Sequence, residues 1–176
     1  MNKIMLISIL LICLGIMFRL FAFGSIPTGL YMDEVAIGAD AYMIVKTGLD
    51  MHGNSPIQAI FPSYGDYKMP VYIWASALST FIFGPGEFSV RLPSLLAGLG
   101  SIVLTFLIAQ MLFPKARYIN WIASAVLAIL PWSILFSRTG FEGHLGQFLL
   151  LSSVYLFLQY GTQKSSVNVR VILILS

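Results

Sequence analysis

Residues 4–23, 92–113, 118–136 and 141–160 form four runs dominated by Leu, Ile, Val, Phe, Ala and Met. A helix needs about 20 predominantly apolar residues to cross a bilayer, and each run approaches that length. In hydrocarbon the backbone N–H and C=O groups meet no water, so a lipid-exposed segment has to satisfy them internally. The chain is therefore expected to be all-α, a polytopic integral membrane helical bundle. Composition agrees. Charged residues make up 10% and the mean hydropathy is +0.88, whereas a soluble domain carries roughly 25% charge. Aromatic residues at 14% exclude a disordered chain. The single cysteine, Cys13, excludes a disulfide framework. The net charge of +3 is spread without any Lys/Arg cluster, which argues against nucleic acid as a partner.

Two shorter stretches need separate treatment. Another apolar run begins at Val171, so residues 1–176 read as the N-terminal part of a single, longer transmembrane domain. Residues 71–83 are too few to span comfortably. Ser76, Ser79 and Thr80, with Tyr72 one turn earlier, form a polar stripe there, and Trp74, Phe81 and Phe83 suit the headgroup boundary. The expectation is an interfacial or re-entrant helix. With that choice, residues 24–91 form one large outer loop and all seven acids fall outside. Lys3, Lys115, Arg117, Lys164 and Arg170 fall on the cytoplasmic side, where positive loops belong. The N-terminus is then cytoplasmic. The first run is too long, and Arg19 too close to its end, for a cleaved signal peptide, so it reads as an uncleaved anchor. Arg19 would cost roughly 2.5–3.5 kcal/mol at the bilayer centre and is expected to snorkel outward.

The outer loop holds the chemistry. A helix is expected over residues 34–47, ended by Gly48, with Asp33 as its N-cap and Glu34 in its first turn. Asp40 lies on the same face as Asp33. Taken singly, these residues have ordinary readings: Asp33-Glu34 as a helix start, and Lys68, Arg91 and Arg138 as headgroup-level anchors. His52 and His144 read as hydrogen-bonded loop residues, since they lack metal-ligand spacing. Together, Asp33, Lys68, Arg91, Arg138 and Glu142 all fall at one membrane face. Cations at that level suit a lipid phosphate, and carboxylates beside them suit proton abstraction or metal holding.

Leu30-Tyr31-Met32-Asp33-Glu34, following the first span, resembles the Asp-Glu motif of GT-C class membrane glycosyltransferases. Further stretches are similar to bacterial members of the dolichyl-phosphate-mannose–protein mannosyltransferase-like group, glycosyltransferase family 39, which includes the aminoarabinose transferases. They are Thr47-Gly48-Leu49-Asp50-Met51-His52-Gly53, Asp66-Tyr67-Lys68-Met69-Pro70, Phe88-Ser89-Val90-Arg91-Leu92-Pro93-Ser94, and Pro131-Trp132 through Ser137-Arg138 to Phe141-Glu142. They cover nearly the whole chain in the family's order. The resemblance implies a GT-C-like fold and specific roles. Asp33 matches the catalytic acid of the first outer loop and Glu142 the second acidic position. Lys68 matches the lysine facing the carrier phosphate, although one proline of its Lys-Pro-Pro element is Met69 here. Arg91 matches the arginine of an Arg-x-Pro element. Arg138 would join Lys68 and Arg91 around the phosphate, with Glu34, Asp66 and Tyr67 in support. Some members carry an acid directly before that lysine and use it at a metal site. Here Tyr67 departs from that pattern, so no cofactor is named and a divalent metal is left open.

The leading expectation is an enzyme of the bacterial plasma membrane working at its outer face. A polyprenyl-phosphate-linked sugar would be the donor, and a hydroxyl on a protein, lipid or glycan the acceptor. Asp33 would act as general base in a single inverting displacement, with membrane lipid as surroundings. A transporter or flippase of a lipid-linked substrate would instead place charges or breaks at mid-membrane, and only Pro131 hints at one. A non-catalytic assembly subunit would use small-residue faces such as that around Ala97, Gly98 and Gly100.

Overall fold

The structure, a computed structural model, describes residues 2–175 in backbone and 2–161 in side chains. It is helical almost throughout, as the apolar runs require. In chain order the elements are α1 (Lys3–Leu20), α2 (Met32–Thr47), β1 (Phe61–Ser63), β2 (Asp66–Lys68), α3 (Pro70–Phe83), α4 (Glu87–Leu112), α5 (Ile119–Ile129), α6 (Pro131–Arg138) and α7 (Glu142–Leu175). Among the described residues, α1 and α4 are each long and apolar enough to cross a membrane, and the α5–α6 pair, bent by 58°, makes a third candidate. The fourth expected span falls in the first part of α7, which is not among these candidates. The backbone continues as helix through residues 161–170, where Lys164 and Arg170 were placed on the cytoplasmic side. Their side chains, and those of the further apolar run from Val171, lie outside the residues whose side chains are described.

The helices alternate in direction. Asn2 Nδ2 donates to the Tyr118 hydroxyl at 2.6 Å, which brings the starts of α1 and α5 to one end. At the other end the finish of α1 meets the start of α4 and the finish of α6. Gly15 lets α1 approach α5 closely, because a Cβ there would run into the Ala128 carbonyl. Gly98 of α4 likewise lies against Ser137 and His144, so part of the small-residue face is consumed within the chain.

Pro131 explains the bend. It has no N–H for the carbonyl of Leu127, and its ring clashes with a continuing helix. The orphaned carbonyls are taken by Arg19, which was expected to snorkel and is instead fully buried. Its Nη1 donates to Ala128 O at 2.6 Å and Gly15 O at 2.9 Å, and its Nη2 to Leu127 O at 3.4 Å and Ser133 Oγ at 2.8 Å. Nε donates to Ser137 Oγ at 3.1 Å, so all five guanidinium donors are used. The physical reason is that an unsatisfied carbonyl in an apolar interior is costly, and a nearby guanidinium satisfies several at once. Arg138 returns the service: its Nη1 donates to Phe18 O and Arg19 O, capping the finish of α1, and its Nη2 to Ile26 O at 2.9 Å.

Residues 24–91 pack as a cap over this end. α2 and α3 lie against each other, and Ile37, Phe61, Tyr72, Ile73 and Val90 form a buried core with Ile44 and Leu145 beside it. Tyr72 ties the layers together, donating to Val90 O at 2.9 Å and sharing a 2.8 Å hydrogen bond with Ser94 Oγ. At 14 residues, α3 is only about 21 Å long, short of the roughly 30 Å hydrocarbon core. The antiparallel β1–β2 hairpin was not anticipated. It turns through Tyr64-Gly65 and pairs Phe61 with Lys68. The stretch after α2 folds around buried Asp50, which accepts from the His52 and Asn54 N–H groups at 2.9 and 2.7 Å and from Gln58 Nε2 at 2.8 Å.

Candidate functional site

The residue nominated as a base is held at a helix start, though not at the position expected. Tyr31, rather than Asp33, is the N-cap of α2, which places Asp33 at the second helical position. Lys68 closes β2, and Pro70 opens α3 with a ring that is favourable at a first helical turn. The lysine is thus fixed between a paired strand and a helix. Its Nζ lies 2.7 Å from Asp33 Oδ1 and 2.9 Å from Asp66 Oδ2. The next residue, Met69, donates its N–H to Glu142 Oε2 at 2.5 Å, which brings the first turn of α7 to the same place. Asp33, Asp66, Lys68 and Glu142 come together although they are scattered over more than a hundred residues of sequence.

Burial separates their behaviour. The Lys68 side chain is only 5% exposed, whereas those of Asp33 and Asp66 are 45% and 69% exposed. Burial alone would lower the lysine's pKa, but its bonds to Asp33 and Asp66 outweigh that and raise it, so it stays an ammonium. The Lys68 hydrogen bond, with the Tyr67 N–H, holds Asp66 below the usual carboxylate range. The Tyr67 side chain itself is exposed, and its residue pairs with Pro62 in the hairpin. Beside the cluster opens a mostly apolar cavity of about 700 Å³, lined by Met69, Pro70, Tyr72, Glu142, Leu145 and Leu149 among others.

The other nominated cations lie elsewhere. Arg91 is fully buried against Glu34, with Nε to Oε1 at 2.8 Å and Nη2 to Oε2 at 3.1 Å. Its remaining donors reach the carbonyls of Pro27 at 2.8 Å, Gly29 at 2.6 Å and Gly24 at 3.4 Å. Glu34 also accepts from Tyr31 N at 3.0 Å and Gly140 N at 2.6 Å. Arg91 and Arg138 therefore face the carbonyls of the segment after α1, not an open phosphate position. Both were expected at the phosphate. The correction has one cause: a guanidinium with several fixed donors is the natural partner for backbone carbonyls where a chain leaves the helix. Glu34, expected to support the phosphate site, is instead the buried joint between α2, α4 and the α6–α7 turn. Among the described residues, no group of three or more His, Cys, Asp or Glu side chains is arranged to hold a metal ion.

The model of the dolichyl-phosphate-mannose-protein mannosyltransferase family matches residues 67–175, more than half of the chain. The chain belongs to that family. Two Bacillus subtilis (strain 168) proteins, each named as a candidate mannosyltransferase, are similar to it. YkcB is 38% identical over 91 residues, 51% of this chain and 12% of YkcB. YycA is 36% identical over 74 residues, 41% of this chain and 10% of YycA. The chain thus spans about a tenth of the length of these relatives. No solved structure matches.

The mannosyltransferase-family match takes in Lys68, Arg91, Arg138 and Glu142, and it begins just after Asp66. Sequence reasoning missed Arg19, Ser133, Ser137 and His144, which form one buried network: Arg19 donates to both serines, and Ser137 Oγ lies 3.1 Å from His144 Nε2. The signal available was the placement of Arg19 in an apolar run together with a proline in another. For Glu34 the signal was an acid at the third position of a helix, where a carboxylate reaches back to the N-cap N–H. Chemically, the open cluster offers one ammonium, three carboxyl groups and an adjoining apolar cavity.

Proposed function

We propose that this face transfers a sugar from a polyprenyl-phosphate-linked donor to an acceptor hydroxyl at the outer surface of the membrane. The observation that carries the reading is the 2.7 Å pair between Lys68 and Asp33, joined through Met69 and Glu142 to the lining of the apolar cavity. A lipid-linked donor needs a cation for its phosphate, a space for its hydrocarbon and a carboxylate near the anomeric carbon. Lys68 supplies the first, as a point charge that stabilises the leaving phosphate. The cavity beside Met69 and Leu149 supplies the second. Asp33, half-exposed, supplies the third: it takes the acceptor's proton as that oxygen attacks, and the anomeric centre inverts. Glu142 fixes the backbone next to Lys68 and presents a second carboxylate to the same space. Membership of a mannosyltransferase family supports the reaction class. The acceptor is a hydroxyl on a protein, lipid or glycan.

A transport reading would draw on the break at Pro131 and a buried arginine. In this structure Arg19 spends all five donors on fixed acceptors, which makes it a helix cap and not a substrate ligand.

The test is transfer of labelled sugar from polyprenyl-phosphate donor in membranes bearing the full-length protein. Asp33→Asn should insert normally, keep donor binding and lose at least about 10²-fold in turnover, the scale of general-base catalysis. Lys68→Ala should weaken donor binding about 10- to 100-fold, the scale of one charge-assisted hydrogen bond, with Lys68→Arg partly active. Full transfer by Asp33→Asn would remove it as the base, and unchanged donor affinity in Lys68→Ala would remove the phosphate site.

A further inference from the structure

We propose that Asp66 is an anionic placeholder on Lys68, which the donor's phosphate displaces on binding; this rests on the phosphate role given to Lys68 above. Lys68 is sealed in the free protein. Its side chain is 5% exposed, and two carboxylates occupy its ammonium at 2.7 and 2.9 Å. Two of its three N–H donors are taken and little of its surface is open, so a phosphate reaches that nitrogen by displacing one of the carboxylates.

The two carboxylates are not equally free to leave. Asp33 belongs to α2, whose start is fixed through Glu34 to Arg91 and Gly140, buried and saturated with hydrogen bonds. Asp66 is the first residue of a three-residue strand, next to the Tyr64-Gly65 turn, and its side chain is 69% exposed. It stands two residues before Lys68, so both side chains lie on one face of the strand, and their contact is local. Its other hydrogen bond, from the Tyr67 N–H, is local too. A rotation about the side-chain bonds of Asp66 delivers its carboxylate to water, while Asp33 stays in place as the base.

Charge makes the exchange close to neutral. A phosphodiester carries one negative charge, as does an ionised Asp66, so the charge around Lys68 is unchanged by the swap. The buried ammonium is never left without an anion, a state that would be costly at such a site. Before donor arrives, Asp66 keeps Lys68 charged and aimed. During binding it is a competitor, and its pair with Lys68, open to water on the Asp66 side, is weak enough to be displaced.

The experiment measures equilibrium binding of radiolabelled polyprenyl monophosphate, the leaving group, to the full-length protein in phosphatidylcholine nanodiscs. Asp66→Asn keeps the size and polarity of an exposed side chain but removes its charge. It should tighten binding about two- to five-fold. Inorganic phosphate used as a competitor should gain the same factor, since the exchange lies at the phosphate. In a Lys68→Ala background, Asp66→Asn should give no gain, which identifies the coupling as one through Lys68. If Lys68→Ala weakens binding while Asp66→Asn leaves it unchanged or weaker, the placeholder is overturned and the phosphate site stands. If Lys68→Ala binds as tightly as the native protein, the phosphate site itself fails. A gain for polyprenyl phosphate with none for inorganic phosphate would put the effect of Asp66 on the lipid tail, and that too overturns the proposal.

Discussion

Asp33 and Glu34 are adjacent in sequence and opposite in consequence. Asp33 points to the half-open cluster with Lys68, and Glu34 is fully buried against Arg91. Removing one partner of a buried pair leaves the other charge uncompensated, at about 3–5 kcal/mol. Glu34→Gln should therefore lower the amount of folded protein and its Tm sharply, while Asp33→Asn leaves both unchanged. Arg91→Lys should not rescue the fold, because an ammonium cannot span the Glu34 carboxylate and three carbonyls at once. Thermal unfolding of the detergent-solubilised variants decides both, and equal Tm values for Glu34→Gln and the native protein would refute the buried-joint role. From sequence alone the two acids could be nominated but not sorted. Neighbours in a helix point about 100° apart, and which face is inward depends on where α4 and the α6–α7 turn arrive. Lys68 and Asp33 were nominated at one membrane face and through the family resemblance, but their 2.7 Å contact was not, because it depends on how the hairpin folds back onto α2. Arg91 and Arg138 were misassigned because a cation at a membrane boundary looks the same whether its partner is a phosphate or a carbonyl.

α4 starts five residues earlier than expected and α7 continues past 160, whereas α1 and the α5–α6 pair were readable to within a few residues, since hydrocarbon allows few alternatives. The three-residue strands of the hairpin were not, because three residues show no period. The bend between α5 and α6 was announced by Pro131, but its cap was not, for the cap comes from a helix more than a hundred residues earlier. That arrangement predicts an interaction between distant substitutions. Arg19→Leu strands the carbonyls of Leu127 and Ala128 and should cost several kcal/mol. Pro131→Ala restores an N–H that can bond to Leu127 O. The double variant should then be more stable than Arg19→Leu alone, as read by Tm, and purely additive losses would show that the arginine does not cap the break. The loop around Asp50 gives a second test. Burial pushes its pKa up, but the bonds from Gln58, Asn54 and His52 prevail and hold it below the usual 3.8. A depressed folded value means the stabilisation is present above the ordinary pKa and lost as pH falls through the lower one. Limited proteolysis within residues 50–58 should stay slow at neutral pH and rise in acid below about pH 4. Asp50→Ala should bring the fast cleavage to neutral pH.

At the scale of the molecule, alternating helices put the finish of α1, the whole of residues 24–91 and the start of α7 at one end. The separation of acids from basic loops in the sequence supports the proposal that this end faces outside. Cysteines at Tyr64 and Pro85, both exposed, flank α3. An impermeant thiol reagent added to intact cells should label both, and labelling of only one would mean that α3 crosses the membrane. The exchanged caps of Arg19 and Arg138 have a consequence in time. The ribosome delivers Arg19 long before it delivers Leu127, Ala128 and Arg138, which lie 108, 109 and 119 residues later. Until then α1 itself offers Arg19 only the Gly15 carbonyl, and its finish lacks the donors that Arg138 brings. Its full set of partners is the one that α5 and α6 complete. The order in which this protein is made and the order in which its helices acquire their caps are therefore different.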